Sequence, residues 1–495
     1  MKAKLKSVAV FGAALALTCG FSPRVAFATT DAKWTSTAGG ALLDGNNYDA
    51  DPSASDARLN FRIAVSGDIT LAASATGAPN GFRIGYDTDT GLDIPFLFQN
   101  GVAFETAGVF YIYGGNTMTL KGGTFRASNA TQAIGASSGS AALVLDGATV
   151  CYENANTKNL RLGYQGGNCR VEVLNGATLT SGVTTGENGA HGNTVRVAGS
   201  GSTISGTIQF GDSDSLSNDN IVRIENGGTL SGDVKTAIAG TSGNSIRIEG
   251  EGSSWVRSAG TLLIDSAKDA AAQEVVVGRG ATLSISSDIH VGNATSGNAL
   301  RIAGGRLSAP SAKCDIGFDG VNARSNRVEI TDGGSASLSR IVMRMGPSGY
   351  LNVENATLAV GDVITVGHEA SYESASNCVM RLAGTNTTVS VANKFTLSKS
   401  AVLNVEVSST NATAMLSDSV VALETGSVIN ISAGPDAKPF PSGGVATILA
   451  GGSDINFSKT TINLAPNIKR VGGGDARELK VRVFDENRGM MLIVR

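Results

Sequence analysis

Acids and histidines gather at one recurring place in this chain, just after a glycine that closes a short apolar strand. Asp212-Ser213-Asp214 with Asp219, Glu187 with His191 one repeat earlier, Asp319, and His368-Glu369 with Glu373 all fall there. Asp212, Asp214 and Asp219 offer the carboxylate oxygens that calcium takes. Carboxylates assembled across repeats, such as Glu187, Asp212 and Asp319, are also what glycoside hydrolysis or polyuronide cleavage requires. Variable loops on a rigid scaffold collect polar residues in any case. The Asp-x-Asp spacing also lacks a supporting G-G-x-G-x-D repeat. Loop polarity is the reading taken, with glycan or calcium contact as the alternative. No catalytic, cofactor or metal residue is assigned.

Other chemistry is sparse. The three histidines are His191, His290 and His368. No Ser stands in a G-x-S-x-G elbow, and neither H-E-x-x-H nor a phosphate-cradling Gly-rich loop occurs. Cys169, Cys314 and Cys378 are expected inward and Cys151 outward. Those faces do not match for pairing, so mostly free thiols are expected, with no His or Lys placed to activate one.

The elements that must position these residues are repeats. Asn193-Thr194-Val195-Arg196-Val197, Asn220-Ile221-Val222-Arg223-Ile224, Asn244-Ser245-Ile246-Arg247-Ile248 and Asn298-Ala299-Leu300-Arg301-Ile302 are the clearest copies. Alternation points Val222 and Ile224 inward and Arg223 outward. A Gly-rich turn and a T-L-S strand follow, as at Thr229-Leu230-Ser231, and a third strand such as Ile289-His290-Val291 ends in Gly292. The closing glycines at 163, 186, 211, 240, 292, 317, 346 and 367 span 204 residues and eight coil intervals, about 25.5 residues each. Three short strands per coil at a fixed period of this length predict an all-β, single-stranded parallel β-helix, a solenoid capped at both ends. About 15 or 16 coils are expected, because looser copies such as Leu59–Ile63 and Phe110–Tyr113 precede the clear ones.

Stacking turns each repeat position into a column. Asn193, Asn220, Asn244, Asn298 and Asn326 are expected to point inward and pair their amides between coils as a structural ladder, with Cys169 and Cys378 in the same column. Arg196, Arg223, Arg247 and Arg301 form an outward charged column, relieved by Glu225 and Glu249 and interrupted by Glu172 and Glu329. A solvated face is expected there, with an acidic polysaccharide as the alternative ligand. Thr178/Thr180, Thr203/Ser205, Thr229/Ser231, Thr282/Ser284 and Thr388/Ser390 form a rank of hydroxyls, broken by Leu263, Ala359 and Arg126. Such ranks resemble the ice-binding face of some antifreeze proteins, yet Thr is also simply a good exterior strand residue.

The ends are expected to differ from the coils. Lys2, Lys4 and Lys6, the apolar run Val8–Leu17 and Ala26-Phe27-Ala28 read as an export signal over residues 1–28. A lipid-anchored reading through Cys19 fits less well, because Thr18 precedes it. Residues 29–58, with Trp34, are expected to cap the first coil, and residues 59–435 to form the repeats. Residues 436–495 hold the final coils and a hairpin of Glu478–Phe484 with Met490–Val494. The formal charge is −3, and removing residues 1–28 leaves 35 basic against 42 acidic residues. That balance gives no reason to expect nucleic acid as a partner. No later stretch is apolar enough for a transmembrane helix.

Units of the form N-x-V-R-I-x-x-G-G-T-L-S, as at residues 220–231, resemble the passenger regions of bacterial autotransporters and the autotransporter-associated β-strand repeat proteins. The tail Gly443–Ala450 also looks like the end of such a protein. The resemblance implies a right-handed β-helix displayed at or released from a cell surface, in a family whose members are often adhesins or structural proteins. It departs from the family in lacking the successive amphipathic strands of a C-terminal membrane barrel. The expected function is therefore that of a secreted or cell-surface structural and adhesive protein without catalytic activity, contacting glycans or other surface proteins. It would reside outside the cell, at its surface or in the periplasm. A polysaccharide lyase or glycoside hydrolase is the second reading and ice binding the third.

Overall fold

The computed structural model describes residues 31–484, apart from 54–56, 76–79, 87–88, 128–131, 152–158, 212–216, 236–241, 266–271, 294, 319–322, 344–347, 368–376, 411–412, 436, 442–443 and 472–475. The leader region and Met490–Val494 thus lie outside the described residues.

Period-2 alternation decides what each strand buries. In Ile221–Glu225, Val222 and Ile224 are fully buried while Ile221, Arg223 and Glu225 face out. This strand lies in parallel register between Thr194–Ala198 and Ser245–Glu249, placing Val195, Val222 and Ile246 directly above one another. The same face continues from Gly40–Ala41 to Thr460–Leu464, a stack of 17 parallel strands among the described residues. Two further faces carry the T-L-S strands and the closing strands, and all three turn around one continuous apolar interior. The result is a parallel β-solenoid with turns of roughly 26 residues. At ~4.8 Å per rung, 17 rungs extend ~75–80 Å.

The coil cross-section varies along the axis. Early turns are filled by Phe61, Phe82, Phe96, Phe104, Phe110 and Phe125, with neighbouring ring centroids such as Phe61 and Phe82 at 5.1 Å. Later turns use Val, Ile and Leu, which is why the early copies depart from the V-R-I pattern. At Arg306–Ile316 the second and third strands fuse into one, with a register shift between Ala309 and Lys313.

One corner recurs with strict chemistry. The glycine ending the third strand is left-handed, with φ between 71° and 86° at Gly163, Gly292, Gly317 and Gly367. A Cβ on Gly163 would lie 2.5 Å from Asn193 Oδ1, and one on Gly292 would collide with the Asn326 amide. At these corners the inward asparagine of the later coil occupies the space that the absent side chain leaves, while Cys169 takes that place at Gly135 and Ser398 at Gly367. The residue before this inward position is itself left-handed, at Asp219 and Ser325 before Asn220 and Asn326, and at Asn168, Ala272 and Asn377 before Cys169, Gln273 and Cys378.

The two ends differ. Asp31–Lys33 pairs in parallel with Arg58–Asn60, so the N-terminal cap continues the solenoid as an incomplete turn. Above it Trp34 packs edge-on against Tyr48 at 5.1 Å. At the other end Glu478–Val483 runs antiparallel between Ala446–Gly451 and Ile468–Val471. The hairpin partner within the described residues is thus Ile468–Val471. A reversed strand there supplies hydrogen bonds to the last rung without offering another parallel edge.

The corner generates a controlled comparison. Gly163→Ala and Gly176→Ala both place Cβ on a left-handed backbone, at a cost of about 1–2 kcal/mol each. Only the first meets Asn193, since nothing lies within 4 Å of a Cβ at Gly176. Gly163→Ala should therefore lower the urea midpoint clearly more than Gly176→Ala. The excess should shrink when Gly163→Ala is made in an Asn193→Ala background.

Candidate functional site

The acidic corner does not assemble a site among the described residues. Asp212, Asp214, Asp319, His368, Glu369 and Glu373 lie outside them. Glu187 sits in a 3-10 turn, largely buried, with its Oε1 3.2 Å from Arg161 Nε one coil earlier. Asp219 is exposed, and its φ of 56° makes it the residue that turns the corner before Asn220. His191 Nδ1 accepts the Asn218 N–H at 3.2 Å. Each of these groups has a local structural partner or task. No group of three or more His, Cys, Asp or Glu among the described residues could hold a metal.

The asparagine column is a ladder. The main-chain N–H of Cys169 donates to Asn193 Oδ1 at 3.0 Å, that of Asn193 to Asn220 Oδ1 at 3.0 Å, and that of Asn220 to Asn244 Oδ1 at 2.8 Å. Side-chain amides add Asn193 Nδ2 to Asn220 Oδ1 at 2.9 Å and Asn298 Nδ2 to Asn326 Oδ1 at 3.0 Å. The column has two further members, Asn116, which accepts from Leu92 N–H at 3.1 Å, and Gln273, whose N–H donates to Asn298 Oδ1 at 3.0 Å. Buried amides bonded this completely serve the fold.

The thiols are equally closed. Cys169, Cys314 and Cys378 are buried and form no disulfide among the described residues. Burial pushes Cys169 up to about 11, and burial with the nearby Asp315 and Asp288 charges raises Cys314 as well. Such thiols are poor nucleophiles.

The charged column of the first face is neutralised. Arg196 lies 3.6 Å from Glu172 and 3.0 Å from Glu225, and Arg301 lies 2.8 Å from Glu274 and 3.1 Å from Glu329. Farther along, Arg381 bridges Glu354 at 2.6 Å and Glu406 at 3.0 Å. The Arg381 hydrogen bond holds Glu354 below its usual range. These half-exposed pairs contribute ~0.2–1 kcal/mol each. They leave a mixed-charge face in place of a basic stripe.

On the second face the hydroxyl rank is in register: Thr178, Thr203, Thr229, Ser254 and Thr282 stack in turn. Thr229 Oγ1 and Ser254 Oγ are 3.3 Å apart. Leu263 does not break this rank, contrary to the sequence expectation. It pairs with His290 on the third face, and the strand Ser254–Arg257 supplies that coil's rung, with Val256 at the interrupted position.

Two third-face clusters escaped the sequence reading. Asp315 points outward in register with His290, yet it is 0% exposed. Lys313 Nζ lies 2.9 Å and His290 Nε2 3.5 Å from its carboxylate, and the His290 ring stacks on Phe318 at 3.9 Å. In the early coils Tyr86, Tyr111 and Tyr113 pack together beside Arg62 and Arg83, with Tyr86–Tyr113 centroids 5.6 Å apart. Neither grouping has a one-coil motif, since its members come from separate rungs.

Asp418 is an acid in an otherwise apolar inward column of Leu338, Val360 and Val391. Burial pushes its carboxyl up to about 6, against opposing backbone hydrogen bonds. A carboxyl raised in the folded state stabilises the fold below its unfolded value, about 4, and that contribution is lost as pH rises through about 6. Asp418→Asn should therefore raise the unfolding midpoint at pH 7.5 and leave it nearly unchanged at pH 4, as read by circular dichroism. No protein-family model matches the chain, and comparison with curated proteins finds no match.

Proposed function

We propose that the protein is an exported surface or matrix element without catalytic activity, a rigid rod whose polar faces make adhesive contacts with glycans or other surface proteins. The observation that carries this reading is the parallel register of successive rungs. Paired charges on one face and hydroxyls on another repeat every ~4.8 Å over many coils. Weak contacts presented at fixed spacing add through avidity, and a shared apolar interior gives the rod its stiffness. A groove of about 280 Å³ between the second and third faces is lined by Pro310, Leu338, Val360, Val391 and small neighbours, with no titratable side chain. Export rests on the charged and apolar pattern of residues 1–28, and no helix among the described residues is long and apolar enough to cross a membrane.

One observation favours a polysaccharide-acting enzyme as a second reading: the Lys313–Asp315–His290 cluster. Its carboxylate is enclosed, which keeps a polymer away from it. The hydroxyl rank of the second face keeps ice binding as a third.

The test is incubation of the secreted chain with a panel of acidic and neutral polysaccharides, scoring both retention and release of unsaturated or reducing ends. Retention without product is expected. Product release that Lys313→Ala abolishes would overturn the non-enzymatic reading.

A further inference from the structure

Tyr86, Tyr111, Tyr113 and Tyr164 are half of the eight tyrosines in the chain, and all four stand on the third face or its corner. We propose that this face, along the strands Arg58–Phe61, Gly81–Ile84 and Val109–Ile112, binds an anionic polysaccharide, with Arg83 taking a carboxylate or sulfate and the tyrosines taking sugar rings. This inference rests on the adhesive reading and gives it a location.

The geometry is prearranged. Arg83 and Tyr111 are register partners on adjacent rungs. Tyr86 is 38% exposed, and the Arg62 and Arg83 guanidinium carbons lie 5.5 and 5.8 Å from its ring centroid. Tyr113 meets Tyr86 at 69° and Tyr111 at 87°, so the three rings brace one another. Asp89 fixes Arg62 at 2.6 Å. Arg83 differs: its Nε is buried and has no hydrogen-bond partner among the described residues, which leaves the Nη end as the part that can meet a ligand. A guanidinium held beside a ring in this way can take an anion end-on, through the paired N–H donors of its two Nη groups.

Charge points the same way. Among the described residues this face carries Lys33, Arg58, Arg62, Arg83 and Arg161, against Asp31, Asp89 and, one coil on, Glu187. That local cationic surplus sits on a chain of formal charge −3. On the first face, by contrast, arginines such as Arg196 and Arg301 each have two glutamates. Tyr and Arg also suit protein interfaces. A polymer is favoured because the groups follow one another along the rod axis, rung by rung.

The test measures retention of the full secreted chain on immobilised polygalacturonate and on dextran, at about 50 and 500 mM salt, across which screening changes strongly. The variants are Tyr86→Ala/Tyr113→Ala, Arg83→Gln, and Arg223→Gln as a control on the first face, each checked for an unchanged unfolding midpoint. Retention on polygalacturonate is expected to fall at least tenfold in the first two variants and at high salt, and to be unaffected by Arg223→Gln. Because Arg83→Gln removes one charge and leaves the tyrosines in place, it keeps the test valid if the double variant is unstable. Polygalacturonate retention that neither variant alters would overturn the site while leaving the adhesive reading intact. Equal, salt-insensitive retention on dextran would overturn the anionic specificity. Failure to retain either polymer, with capture of a protein through these same residues, would replace the glycan by a protein partner. Failure to bind any glycan or protein would remove the adhesive reading itself.

Discussion

The solenoid depends on a single contact repeated at one corner. An inward asparagine reaches back one coil, accepts that coil's main-chain N–H, and fills the space beside a left-handed glycine that has no side chain to obstruct it. Parallel strands leave the corner amides without a ladder partner, and a buried unpaired amide costs about 1–3 kcal/mol. Asparagine meets that need while its other end bonds the next rung. The glycine and the asparagine are therefore one device, although some 30 residues separate Gly163 from Asn193 and 34 separate Gly292 from Asn326.

This device explains why the exterior is free to vary. The interior fixes Val, Ile, Leu or Phe at alternate positions, and the corner fixes Gly and Asn. Outward positions are constrained only by their neighbours one rung away. On the first face that freedom is used for alternating Arg and Glu and later for the Asn404, Asn430 and Asn463 ladder. On the second it is used for hydroxyls, and in the early third face for tyrosines and arginines. Function in such a molecule is a property of columns, set by stacking.

The architecture was legible in the sequence because the pattern that creates it is local. The Asn-x-V-R-I strand, the Gly-rich turn and the closing glycine all fall within one coil, and the inward residues Val195, Val222 and Leu300 are buried as expected. Asn116 and Gln273 were missed as ladder members because their flanking strands, Thr117–Lys121 and Glu274–Val277, lack the V-R-I motif. Leu263 was misplaced because Thr261-Leu262-Leu263 mimics T-L-S better than the true rung Ser254-Trp255-Val256 does. Asp219 was weighed as a calcium or glycan contact against simple loop polarity, and its left-handed backbone is a reason for an Asp there. Glu187 was weighed in the same way, and its partner Arg161 lies a coil away, where sequence spacing does not show it. The tyrosine patch could not be read at all without register, since each coil contributes one or two ordinary exterior residues.

The most direct test of the corner is amide hydrogen exchange on the full chain. The main-chain N–H groups of Cys169, Asn193, Asn220 and Asn298 bond only to side-chain oxygens of the following coil. They should nonetheless exchange as slowly as the strand amides of Val195 and Val222. Asn220→Ala should selectively speed exchange at Asn193. Rapid exchange at these four sites in the unmodified chain, with protected strands on either side, would show that the asparagine column does not join the coils.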